Sequence, residues 1–90
     1  MSVRVRVRLD AVLGEVCGRR EIGIVAVPGG ATVGWIIDEA GRLLEPVGKM
    51  LRDPVHRRNM RFMLNGRQAA EFEMVRDGDI IEMYSPFLGG

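Results

Sequence analysis

Cysteine, histidine and tryptophan each occur once in this chain, at Cys17, His56 and Trp35. A lone cysteine excludes an internal disulfide, so a reducing cytoplasm is the expected compartment. His56 lies in a polar stretch with Pro54, Arg57 and Arg58 and has no second ligand at metal-binding spacing, so no metal site is expected. A large net charge is missing too. The 13 basic residues against 12 acidic ones leave a formal +1, which argues against a nucleic-acid binder. No apolar run approaches a membrane span. Arg4, Arg6 and Arg8 interrupt the N-terminus at every second residue, unlike the apolar segment of a signal peptide. Val27-Pro28-Gly29-Gly30 lacks the Lys-Ser/Thr that follows in a phosphate-binding loop. No nucleophile–base pair stands out, and 90 residues form one small core without a deep cleft, so an independent enzyme is not expected. Repeats, linkers and low-complexity segments are lacking as well.

What is present is strong patterning. Val3, Val5, Val7 and Leu9 alternate with Arg4, Arg6 and Arg8, the period-two signature of a strand with one buried and one wet face. The stretch from Ala11 to Cys17 reads as a turn or a single helical turn. Ile22, Ile24 and Ala26 alternate with Glu21, Gly23 and Val25, giving a second strand, antiparallel to the first, that ends at Pro28-Gly29-Gly30. Thr32 fits a helix N-cap. Val33, Ile36, Ile37, Ala40, Leu43, Leu44 and Val47 then follow the spacing of an amphipathic helix, which Gly34 and Gly41 weaken and Pro46 ends or kinks. A short second helix fits residues 47–51, and residues 53–59 read as an Arg-rich polar connection.

Met60, Phe62 and Leu64 form the apolar side of a third strand. Asn65-Gly66 is a hairpin signal, because a type I′ turn needs positive φ at both central positions. Residues 67–70 would pair back, Asp77-Gly78 is a further turn, and Ile80 to Tyr84 is the last strand. One helix between two hairpin-like units, packed on one face of the sheet, is a β-grasp arrangement. The expected fold class is α+β: a mixed sheet of four to five strands on one main helix, with residues 1–90 as a single domain and 84–90 as a flexible tail.

That tail ends in Gly89-Gly90 after Pro86-Phe87-Leu88. Terminal glycines gain nothing from ordered structure. They do make a thin tip that can thread a narrow channel and present a bare carboxylate, although a frayed terminus would also tolerate them.

In this order the segments resemble the ubiquitin-like sulfur carriers, the small subunit of molybdopterin synthase and the thiamine-pathway sulfur carrier protein. The matching pieces are the alternating first strand, Pro28-Gly29-Gly30-Ala31-Thr32-Val33, Phe62-Met63-Leu64-Asn65-Gly66, Arg76-Asp77-Gly78-Asp79 and Pro86-Phe87-Leu88-Gly89-Gly90. The family's tail usually carries two prolines and small aliphatic residues. Here Ser85 takes the first proline's place and Phe87-Leu88 is bulkier. Residues 42–59 are longer than in thiamine-type carriers, which leans the resemblance toward the molybdopterin branch.

The resemblance implies a chemistry for the terminus. An E1-like partner adenylates the Gly90 carboxylate with ATP, and a sulfur donor converts the adenylate to a thiocarboxylate. Gly89 serves passage through the partner's channel. The carrier binds no cofactor of its own; ATP is used by the activator, and a larger synthase subunit or another enzyme accepts the sulfur. Docking residues are expected on the wet sheet face and beside the tail: Arg4, Arg6, Arg8, Met63, Tyr84, Pro86, Phe87 and Leu88, with Glu82 among them. The arginine row equally fits a solvated face paired with Glu82. Trp35, opposite the apolar stripe, is expected to pack under a loop. Cys17 fits a small buried hydrophobe and the methionines fit core gap-filling. Two other readings stay open: a protein modifier that forms isopeptide bonds through Gly90, and a plain β-grasp interaction module.

Overall fold

The alternating run at the N-terminus does form a strand, which lies inside the sheet between two neighbours. β1 (Val3–Leu9) buries Val3, Val5, Val7 and Leu9 and exposes the arginines between them. A computed structural model describes residues 2–26 and 29–85 of the chain. The turn expected after β1 is a full helix, α1 (Ala11–Cys17). Asp10 caps it by accepting from the Leu13 N–H at 2.8 Å, and Gly18 ends it in the left-handed conformation at φ 76°. β2 (Glu21–Ala26) returns antiparallel to β1, in a register that sets Arg8 against Glu21 and Val3 against Ala26.

Thr32 caps α2 (Val33–Leu43), its hydroxyl accepting from the Trp35 N–H at 3.1 Å. The helix buries Val33, Ile36, Ile37 and Ala40 as expected, but Leu43 is 50% exposed. The helix stops there, and Leu44, in extended conformation at φ −120°, turns into the core instead. Pro46 divides the helical stretch by falling in the first turn of α3 (Glu45–Arg52), where its missing N–H costs no hydrogen bond. The polar connection expected at residues 53–59 is helical too: α4 (Pro54–Asn59) begins on the Asp53 carboxylate, which accepts from the Val55 N–H at 2.9 Å. α4 buries no residue, so it carries no apolar period to read. The main helix and the short second helix expected at residues 47–51 are thus joined by α1 and α4, and α3 packs against both α2 and α1.

β3 (Arg61–Leu64) and β4 (Arg67–Gln68) are joined at Asn65 (φ 51°) and Gly66 (φ 86°), both left-handed as the hairpin signal requires. β5 (Ile80–Tyr84) enters between β1 and β3. The sheet has five strands in the order β2-β1-β5-β3-β4, with β1 and β5 parallel and the other pairs antiparallel. One core joins sheet and helices: Val5, Val7, Val33, Ile36, Ile37, Val47, Ile81 and Met83 are each 0% exposed. This is the ubiquitin-like β-grasp expected from the sequence.

Candidate docking face and tail root

Strand alternation puts a second row of side chains opposite the core. Pairing in register sets Glu21, Arg8, Glu82 and Met63 side by side across β2, β1, β5 and β3. The neighbouring rows set Gly23, Arg6 and Ile80 together, and Tyr84 beside Arg61. Arg4, Arg6, Arg8, Met63, Glu82 and Tyr84, all singled out in the sequence, therefore share one face. The charge pairing differs from expectation. Arg8 Nε donates to Glu21 Oε1 at 2.9 Å and Arg6 lies 4.0 Å from the same carboxylate, while Glu82 accepts from the Tyr84 hydroxyl at 3.2 Å. Both Arg8 and Glu21 remain more than two-fifths exposed, so the pair is weak. Glu82 holds the Tyr84 hydroxyl pKa above its ordinary value, because the hydrogen bond and the negative charge both favour the protonated phenol.

At the end of this face, where β1 and β5 both finish, a depression of about 430 Å³ is bordered by Arg8, Asp10, Arg20, Glu82 and Tyr84. Arg20 Nε donates to the Leu9 carbonyl at 3.0 Å across it. Around the corner Val12, Val16, Pro46 and Met50 line a more apolar depression of about 540 Å³ that also touches Ser85. Three separate segments build this second hollow, so no local pattern announces it. Ser85 itself is buried, and its N–H donates to the Asp10 carboxylate. Pro86, Phe87, Leu88, Gly89 and Gly90, expected to carry the chemistry and part of the docking, lie outside the described residues, as does Pro28 of the loop before α2.

Other singled-out residues fall away from this region. Trp35 is 42% exposed, so it is not covered by a loop as expected; it stands on the face of α2 that turns from the sheet. Phe72, at 81% exposed, carries no sequence signal. Cys17 is half-buried against the core, and burial pushes its thiol pKa up. His56 Nδ1 lies 3.6 Å from Asp53. Among the described residues no group of three His, Cys, Asp or Glu side chains could hold a metal ion, and no helix is long and apolar enough to cross a membrane. Met60 and Met83 fill core space, whereas Met74 is half-exposed.

No protein-family model and no curated protein sequence matches the chain. Solved structures do. Small archaeal modifier protein 1 from Haloferax volcanii is 28% identical, with a TM-score of 0.78 over 93% of this chain and 98% of that one. A putative molybdopterin converting factor, subunit 1, from Pyrococcus furiosus is 24% identical, with a TM-score of 0.73 over 93% and 98%. A chain from the BexX/CysO complex of Amycolatopsis orientalis is 23% identical, with a TM-score of 0.67 over 96% and 99%. The last two show a shared fold. The chain is a ubiquitin-like β-grasp protein, structurally akin to these small modifier and converting-factor proteins, in keeping with the resemblance read from its sequence.

Proposed function

We propose that this chain is a sulfur carrier and that the Gly90 carboxylate is its reacting group. An E1-like enzyme would join that carboxylate to the α-phosphate of ATP, releasing pyrophosphate. A sulfur donor would then displace the adenylate and leave a thiocarboxylate. The logic is leaving-group chemistry: a carboxylate resists nucleophiles, while an acyl-adenylate carries a good leaving group. The globule supplies no acid, base or metal to these steps, and its part is to be held while the tail reaches. Five residues beyond Ser85, at roughly 3.5 Å each, span about 17 Å. Gly89 would let that arm pass a narrow channel.

One observation carries this reading. A ubiquitin-like fold shared over almost the whole chain with a putative molybdopterin converting factor subunit is combined with Gly89-Gly90 a few residues past its last strand. We favour the molybdopterin branch, with a larger synthase subunit as acceptor, because the stretch that thiamine-type carriers shorten is here the helical α3–α4 insert. Partner contacts are assigned to Arg4, Arg6, Arg8, Met63 and Tyr84 on the exposed face, and to Pro86, Phe87 and Leu88 next to the reacting end. The single cysteine fits a cytoplasmic carrier.

A second reading has its own support. A 28%-identical neighbour is named a modifier protein, so conjugation of Gly90 to lysines shares the first step. Intact mass after incubation with ATP, the co-purifying activator and a sulfide source separates the two. A gain equal to sulfur replacing oxygen supports carriage; a ladder of protein adducts supports conjugation. If removing Gly89-Gly90 leaves partner binding and phenotype intact, the chain is instead a plain interaction module.

A further inference from the structure

One buried carboxylate, at the edge of the candidate docking face, takes no part in the proposed chemistry. Asp10 stands between β1 and α1 and is 7% exposed. Its Oδ1 accepts from the Leu13 N–H at 2.8 Å, and its Oδ2 accepts from the Ser85 N–H, 75 residues away in sequence. Its main chain repeats the pattern. The Asp10 N–H donates to the Met83 carbonyl at 3.1 Å, and its carbonyl accepts from the Gly14 N–H at 2.8 Å. One residue thus joins the start of α1 to the end of β5.

Capping needs only one side-chain oxygen, and Ser, Thr or Asn would supply it equally well. A buried carboxylate is costly unless both oxygens are bonded, so the identity of Asp is explained by the second oxygen. That oxygen continues the sheet by one step. The strand pairings stop at Leu9 with Met83 and at Arg61 with Tyr84, and Ser85 comes next. The carboxylate meets the Ser85 N–H where β1 has already turned into α1.

We propose that Asp10 is a positioning residue for the C-terminal segment: it fixes Ser85 just past the end of β5 and couples that point to α1. The consequence for activation rests on the sulfur-carrier reading; the anchoring itself does not. An arm of five residues launched from a fixed root samples a narrower volume than one whose root swings. Pre-organisation of this kind acts mainly on productive engagement by the partner.

The separating variant is Asp10→Ser in the full chain, which keeps an N-cap oxygen for Leu13 and removes the acceptor for Ser85. Asp10→Asn, nearly isosteric, is the second variant should the serine chain fold poorly. Amide exchange by NMR is the first measurement. The expected result is that the Ser85 N–H exchanges at least about tenfold faster while Leu13 stays protected. Unchanged Ser85 protection in both variants would overturn the proposal. ATP–pyrophosphate exchange with the co-purifying activator is the second. KM should rise about three- to tenfold with kcat unchanged. Faster Ser85 exchange with an unaltered KM would overturn the positioning role. If the unsubstituted chain supports no pyrophosphate exchange, the carrier reading fails instead, and the NMR comparison still decides whether Asp10 holds the root.

Discussion

Gly48→Ala tests whether α2 and α3 pack backbone to backbone. An ideal Cβ on Gly48 would stand well inside 3.0 Å of the Gly41 carbonyl oxygen. On Gly41 it would meet Leu51 Cδ1 at 2.8 Å and Gly48 Cα at 3.2 Å. Leu51 can rotate away, but a carbonyl oxygen inside a helix cannot. Propensity alone favours alanine in α3 by about 1 kcal/mol. Overpacking of a fixed backbone costs about 3 kcal/mol, the upper end of its usual range. The net expectation for Gly48→Ala is a loss of about 2 kcal/mol. At roughly 4–8 °C per kcal/mol for a domain of this size, Tm should fall by about 8–16 °C. Gly41→Ala should cost about half as much, because one of its obstacles is the end of a side chain. Gly23 serves as the control: it lies on the exposed face of β2, and a methyl added there would have nothing within 4 Å, so Gly23→Ala should hold or raise Tm. Urea and thermal unfolding followed by circular dichroism measure all three. A Gly48→Ala chain more stable than its parent by about 1 kcal/mol would refute the close approach, since propensity would then be acting alone.

Three further outcomes are expected. Asn65 combines φ 51° with bonds to the Ile80 N–H and to Asp79, both at 2.9 Å; Asn65→Ala should lose about 2 kcal/mol in urea unfolding and Asn65→Gly about 1, because glycine keeps the turn. Arg57, 25% exposed, contacts Asp38 and Glu71 at 2.6 Å each and so ties α4 to α2 and to the segment before β5. A double-mutant cycle of Arg57→Met with Glu71→Gln should give a coupling of about 1 kcal/mol that shrinks in high salt, and no coupling would dismiss the network. Arg67, 2.7 Å away, and then the Ala70 N–H hold the Glu73 carboxyl below the usual carboxylate range. With the folded value depressed, its contribution is complete above the unfolded pKa of about 4.3 and is lost as pH falls through the lower folded value. Glu73→Gln should flatten the acid limb of a stability–pH curve in that window, and an unaltered limb would count against the pair.

The strands were legible because period-two burial is local. Val3 to Leu9 and Ile22 to Ala26 needed no knowledge of their partners. The Thr32 cap and the Asn65-Gly66 turn were legible for the same reason, since capping and tight turns are local, whereas the bonds of Asn65 to Asp79 and Ile80 were not. α1 reads in the sequence as a turn or one helical turn and α4 as a polar connection, because six or seven residues are too few for a helical period to outvote turn-forming composition. Their caps, Asp10 and Asp53, do not stand out in the sequence, because an aspartate suits a turn as well as an N-cap. Leu43, expected on the apolar stripe together with Leu44, is exposed because the helix ends there, and Leu44 alone of the two reaches the core. Gly41 read as a weakness of α2, and its use in the α3 contact depends on Gly48, seven residues on in a different helix. The assignment of Glu21 rather than Glu82 to Arg8 is a choice between two neighbours in register, which sequence cannot rank.

The parallel pairing of β1 with β5 ties these features together. Two parallel neighbours finish at the same end of a sheet, so the chain must leave β5 beside the place where it leaves β1. Had β5 run the other way, its last residue would lie beside Val3, far from Asp10. Whatever connects β1 to β2 therefore borders the exit of the C-terminal segment, and here that connection is α1, fixed at its first turn by the same carboxylate that meets Ser85. The two parts of the candidate site then differ in stiffness for a physical reason. On the sheet face the ion pairs are exposed, each worth roughly 0–1 kcal/mol, so a partner's charges can re-pair them at little cost. At the root the groups are buried, and breaking them leaves desolvated polar atoms at about 1–3 kcal/mol apiece. A surface that adapts beside a root that does not would suit the proposed delivery of the C-terminus: a partner could adjust its grip on the sheet face without displacing Ser85.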